Sequence, residues 1–255
     1  MAALPELLKV CRYFSDNPCP NLYVRELPIT VNTKFIEQNK RVLSQMLDVI
    51  LDHGVKQSES DFERRYGLKY TEPLIRLRIL DPEISSVYLS GLRDISVQLS
   101  EFCNLSIPSS LVIIMENKTN LANIMNFLTL PNVSGAIAVF GMGYGVHLLK
   151  DAHWLKEKRI LYWGDIDCHG FEILSMLRGY FPQTESVMMD FDTFDTFKVY
   201  CVSGEMSKVS PPCNLTDEEF RLYAYLRECS HGNRLEQERI PHTFAIQKFS
   251  AVIGG

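Results

Sequence analysis

The sequence predicts an α/β fold: a four-stranded parallel sheet core flanked by helices, preceded by a smaller α+β domain. Two observations carry that expectation. From about residue 105 onward, short apolar runs alternate with segments of helical spacing. Those runs are apolar almost throughout, as in strands covered on both faces. The first hundred residues have another rhythm, with amphipathic helices and a basic stretch. The expected domains are therefore 1–104 and 105–255.

Taken in order, residues 2–16 read as a helix with Leu4, Leu7, Leu8 and Cys11 on one face. NLYVRELPI (21–29) reads as a strand. Asn32 or Thr33 caps a helix running to about Leu51, and Gly54 breaks it. Ser60 and Glu63 form a capping-box pattern opening a helix that ends near Gly67. A further helix is expected at Thr71–Leu80, which makes a helix-turn-helix with Arg64, Arg65, Lys69, Arg76 and Arg78 on a basic face. Residues 87–99 alternate and turn at Gly91, as the wing of a winged helix would. The same features also suit a plain α+β domain with a solvated basic face.

The second half reads as strands at 111–117, 135–141, 159–167 and 186–190. Helices are expected near 119–128, 145–152 and 170–180. A capping box, Thr216 to Glu219, opens another, and a last helix follows Pro241.

Composition narrows the function classes. The 46% apolar content suffices for a sizeable core, and the net charge of -5 argues against a free-standing nucleic-acid binder. No apolar run approaches the ~20 residues of a membrane span. The N-terminus lacks a basic segment leading an apolar one, so a cytoplasmic protein is expected. Seven cysteines, an odd number with no CxxC spacing, suit reduced thiols better than zinc or disulfides. Cys168 reads as a buried small residue.

Candidate chemistry sits at strand ends, where open α/β sheets gather ligands. Glu116 ends the first strand, Asp165 and Asp167 the third, and Asp190 the fourth. Singly, each acid reads as a cap or turn residue. Together they form a carboxylate set suited to Mg²⁺ or Mn²⁺. Gly141 and Gly143 suggest either a tight turn or amides facing a phosphate. His169, beside the acid pair, and Lys118 are weaker candidates for phosphate contact, and both also have ordinary structural readings.

The order acid, glycine, Asp-x-Asp (Glu116, Gly141, Asp165, Asp167) resembles the Toprim domain of topoisomerases, primases and some nucleases. The flanking text is more specific. RELPITVNTKFIEQNK, LIRLRILDP, ENK, VFGMGYGV, YWGDIDCHGF and MMDFDTF resemble the JetD family of Wadjet anti-plasmid proteins, from about Tyr23 to Pro241. Family members carry further N-terminal sequence, so this chain resembles a truncated member.

The resemblance implies a winged-helix (CAP-like) domain followed by Toprim, a homodimer, and an SMC-like ATPase complex that presents plasmid DNA. It implies hydrolysis of double-stranded DNA, with Glu116, Asp165 and Asp167 holding one or two Mg²⁺ or Mn²⁺ ions and Asp190 as a further ligand. Two alternatives stand beside it. One is a topoisomerase VI A-like transesterase using Tyr66 or Tyr70, although ERRYGLKY lacks the Asp that precedes the tyrosines of those enzymes. The other is a non-catalytic DNA-binding or assembly module.

Overall fold

The computed structural model of the chain describes residues 4–51, 54–116, 121–141 and 143–254, the side chains of residues 121–123 excepted. The chain divides into two compact units, Met1–Glu72 and Pro73–Gly255.

The first unit is helical. Helix α1 (Leu4–Asp16) buries Leu7, Val10, Cys11 and Phe14, the 3-4 spacing of one helix face. Asn32 caps α2 (Thr33–Gln38), accepting from the Lys34 amide at 2.9 Å. The helix pauses at Asn39 and resumes as α3 (Lys40–Ile50), where the sequence suggests one helix throughout. The short helix α4 (Phe62–Arg65) is capped by Asp61, not by Ser60, and Glu63 pairs with Lys40 instead of closing a box with Ser60. Phe14, Ile36, Leu43, Leu47, Phe62 and Tyr66 form the core.

Three expectations fail in residues 21–104. Residues 21–29 form no strand; only a 3₁₀ turn, Val24–Glu26, is present, and Glu26 accepts from the Tyr23 amide to stabilise it. Residues 71–80 form no helix. LIRLRI is a strand, β1 (Leu74–Ile79), because Ile75, Leu77 and Ile79 alternate into the core with period two. Residues 87–99 form no wing. Helix α5 (Pro82–Leu89), capped by Asp81, ends at Ser90 and Gly91, both with left-handed φ, and strand β2 (Asp94–Gln98) follows. The helix-turn-helix and winged helix are therefore not formed, and the described residues of the first unit contain no strand. Residues 73–104, expected in the first domain, belong to the second compact unit.

That unit continues through α6 (Leu99–Cys103), β3 (Leu111–Met115), α7 (Leu121–Leu128) and β4 (Ala136–Phe140). Residues Gly143–Asp151 wind as 3₁₀ helix in place of the expected α-helix. Then come β5 (Arg159–Trp163), α8 (Cys168–Tyr180), β6 (Thr184–Ser186), α9 (Phe191–Thr196), α10 (Asp217–Glu228) and α11 (His242–Gly254). Among the described residues the sheet has six strands in the order β2-β1-β4-β3-β5-β6. The four-stranded parallel core is β4-β3-β5-β6, but its fourth strand lies at Thr184–Ser186 and not at 186–190; β1 adds antiparallel to β4, and β2 antiparallel to β1.

Strand β3 is buried at every position, as a central parallel strand covered on both faces must be. Its neighbour β5 pairs with it from Leu111↔Arg159 to Met115↔Trp163. The carboxyl ends of these two strands therefore lie side by side; Glu116 follows β3 directly, and Asp165 follows β5 after Gly164. No helix of the described residues is long and apolar enough to cross a membrane.

Candidate active site

Glu116 extends the ladder by one step, its amide donating to the Trp163 carbonyl at 3.0 Å. Its Oε2 accepts from the Asp165 amide at 3.1 Å and from the Tyr162 hydroxyl at 3.4 Å. Tyr162 is fully buried, and burial first, then the Glu116 and Asp165 carboxylates, push its phenol well up. Asp165 accepts from the Gln237 amide at 3.0 Å. Asp167 caps α8, accepting from the Gly170 amide at 2.8 Å.

These three acids are 3%, 1% and 4% exposed, so they need a counter-charge. Arg234 supplies it. Its Nη2 lies 3.2 Å from Asp165 and 2.7 Å from Glu236, and its Nε lies 3.4 Å from Asp167. Burial works against the guanidinium charge, but Asp165, Asp167 and Glu236 outweigh it and hold the Arg234 pKa above its ordinary value. Glu238 joins the same field: burial, then Asp165 and Glu236, raise its carboxyl.

Two glycines allow this crowding. A Cβ on Gly141 would sit 1.9 Å from the Met115 carbonyl, and one on Gly170 would sit 2.1 Å from the Asp165 carbonyl. Both mark close backbone approaches, so the structure explains Gly141 without a phosphate.

A second polar cluster flanks the acids. The Tyr144 hydroxyl donates to Glu172 at 2.5 Å and lies 2.6 Å from His169 Nδ1. Ser207 donates to the other Glu172 oxygen. Since one hydroxyl has one proton, His169 Nδ1–H donates to Tyr144 when Tyr144 donates to Glu172. Burial and then Glu172 raise the Tyr144 phenol far above its ordinary range.

The sequence over residues 67–249 matches the family described as Wadjet protein JetD, C-terminal. The chain belongs to this JetD family. Residues 1–48 match a second family, an uncharacterised N-terminal region conserved in bacteria (DUF3322). A search of curated proteins finds none that matches. JetD membership implies a role in the Wadjet defence system and association with its SMC-like complex.

In this JetD chain the expected set is only partly assembled. Glu116, Asp165 and Asp167 share one neighbourhood, and His169 stands beside it. Asp190 caps α9 through the Thr193 amide and lines a groove of about 880 Å³ beside β6, whose lining includes none of the three acids. Lys118 lies outside the described residues. Gly143, with φ +54, opens the 3₁₀ helix. Arg65 is tied bidentately to Asp48 and Arg76 to Asp94. Arg64 stacks on Tyr70, Lys69 lies over the Tyr23 ring, and Arg78 stands on β1. Of the expected basic face, Arg64, Arg65 and Lys69 lie in the first unit, Arg76 and Arg78 in the second.

Sequence reasoning missed Arg234, Glu236, Gln237, Glu238, Tyr144 and Glu172. No local signal marks Arg234 and Glu236, since only the Ile166–Leu235 bridge brings them to the acids.

The donor types suit a hard divalent ion. The buried Gln237 adds an amide oxygen, Oε1, with no hydrogen-bond partner, while its Nε2 donates to the Trp163 carbonyl. Yet among the described residues no three His, Cys, Asp or Glu side chains converge as they stand on one ion position. Two of the three acids point to Arg234 instead.

Proposed function

We propose that the chain is a metal-dependent DNA endonuclease of the Wadjet system, with its second unit acting as a Toprim-type catalytic domain on plasmid DNA. The single observation that supports this reading most is the placement of Glu116 and Asp165 on adjacent parallel strand ends, with Asp167 two residues on. Glu116, Asp165 and Asp167 are the residues that would hold Mg²⁺ or Mn²⁺. Such an ion activates water and offsets charge on a phosphate. The protein's part is positional. Gln237 and Glu116 fix the Asp165 carboxylate and backbone, Asp167 is fixed by the α8 cap, and Tyr144 and Glu172 fix the His169 ring where it can face a phosphate. A homodimer would set two such sites on opposite strands.

A second reading has its own observation: Arg234 pairs with Asp165 and Asp167, as suits a DNA-binding or assembly module that does not cut. The test incubates the chain with supercoiled plasmid and Mg²⁺ or Mn²⁺, beside Asp165→Ala and an EDTA control. Nicked or linear product from the parent alone supports the nuclease. DNA binding without cleavage in any metal, with the SMC-like complex present, supports the module.

A further inference from the structure

Three polar features of the second unit stand beside or apart from the three acids. The groove beside β6 carries Glu185, Asp190, Asp192 and Glu218 but nothing that fixes an occupant. The Tyr144–Glu172–Ser207 cluster orders His169, two residues from Asp167. Arg234 carries the most, because three carboxylates from two chain segments point at its one guanidinium.

We propose that Arg234 is a displaceable counter-cation that competes with the divalent ion for Asp165 and Asp167. This rests on the metal reading above. Arg234 stands in antiparallel bridge with Val202, and its neighbour Leu235 bridges to Ile166, between the two aspartates. The bridge brings the guanidinium to the acids through the backbone, not through a long flexible reach. The contacts are unequal: Nη2 is shared by Asp165 and Glu236, while Nε, itself buried, reaches Asp167 only as a charge contact without hydrogen-bond geometry. Arg234 is also the most exposed member, its side chain 22% exposed against 2% and 6% for the aspartates. It can swing outward while staying paired with Glu236, which is 19% exposed. The aspartates, fixed by the Gln237 amide and the α8 cap, cannot follow. An ion entering among fixed carboxylates therefore meets the movable charge of Arg234 at Asp165 and Asp167. Arg234 keeps the acid cluster folded and satisfied before the ion binds, and sets how much ion is needed.

The experiment measures Mn²⁺ binding to the full chain by calorimetry and by the resonance of free Mn²⁺, with thermal melts in EDTA and in saturating Mn²⁺. Arg234→Gln removes the charge, Arg234→Lys keeps it, and Arg239→Gln removes the exposed arginine that pairs with Glu236 from outside. Arg234→Gln is expected to bind Mn²⁺ roughly 10-fold more tightly, the scale on which outer-shell partners act on metal affinity. Its melting temperature falls in EDTA and recovers in Mn²⁺. Arg234→Lys lies between, and Arg239→Gln matches the parent. Equal or weaker Mn²⁺ binding by Arg234→Gln, with the parent binding normally, overturns the proposal and leaves the metal site standing. Absence of Mn²⁺ binding in parent and every folded variant overturns the metal reading itself, and the proposal with it.

Discussion

Ile166 and Leu235 exchange both backbone hydrogen bonds, at 2.9 and 3.1 Å. Both side chains are fully buried. In a paired antiparallel bridge the flanking residues face the other way, so Asp165 and Asp167 meet Arg234 and Glu236 on one face. Separated by 69 residues in sequence, the two pairs of charges are brought together by the pleat of two short extended segments.

Asp167 has two roles that substitution separates. As the cap of α8 it accepts from Gly170, and as a charge it faces Arg234. Asp167→Asn keeps a capping oxygen; Asp167→Ala does not. Removing a cap costs about 1 kcal/mol. Urea unfolding is expected to show that loss for the alanine variant and near-parent stability for the asparagine variant. Plasmid cleavage is expected to be lost in both. Equal stability of the two would show that the cap contributes nothing.

Gly170→Ala tests the close approach of α8 to the acid pair. The added Cβ would stand 2.1 Å from the Asp165 carbonyl, with backbone atoms on the far side rather than a movable side chain. Forcing a methyl into packed structure costs about 1–3 kcal/mol, and here the shift is transmitted to Asp165. The expected result is a destabilised fold with weaker Mn²⁺ binding. Gly91→Ala is the contrast, because nothing lies within 4 Å of its Cβ position and only its left-handed φ opposes the change.

Among the described residues Arg178 and Glu219 make a buried ion pair outside the acid cluster, with side chains 12% and 7% exposed. Burial raises the Glu219 carboxyl, but Arg178, Ser186 and the Thr216 amide outweigh it, so the folded pKa lies below the ordinary value. A depressed carboxyl contributes stability above its unfolded pKa, about 4.3, and that contribution is lost as pH falls through the folded value. Glu219→Gln leaves Arg178 without its charge partner, at a cost of about 3 kcal/mol. Denaturation at pH 7 should show this gap, and the gap should narrow below pH ~4. A gap independent of pH would mean that shape, not charge, holds the two helices.

The parts of the fold that were legible were those with continuous apolar runs. Strands β3, β4 and β5 and the caps at Asn32 and Thr216 fall where pattern and capping chemistry place them. Residues 74–79 were misread because Arg76 and Arg78 looked like a basic helical face. Their alternation with Ile75, Leu77 and Ile79 was the better signal, and pairing with both β4 and β2 settled it. The neighbourhood of Glu116 and Asp165 was legible because adjacent parallel strand ends lie side by side. Arg234 and Glu236 were not, because their meeting with those acids depends on the Ile166–Leu235 bridge, which neither segment announces locally.

Tyr66 is poorly placed to act as a nucleophile. Its ring is packed among Phe14 and Phe62, 1% exposed, and its hydroxyl lies 2.6 Å from Asp48 and 3.0 Å from the Ser44 carbonyl. Burial and then Asp48 raise the phenol, so it stays protonated and turned inward. Tyr66→Phe keeps the packing and removes the hydroxyl, while Asp48 retains Arg65. The expected loss is about 1 kcal/mol of stability, the size of one hydrogen bond. Plasmid cleavage should be unchanged in Tyr66→Phe and Tyr70→Phe alike, and denaturing gels of the parent reaction should show no DNA on the protein. A covalent adduct that disappears in either variant would replace hydrolysis with transesterification and move the reactive group into the first unit.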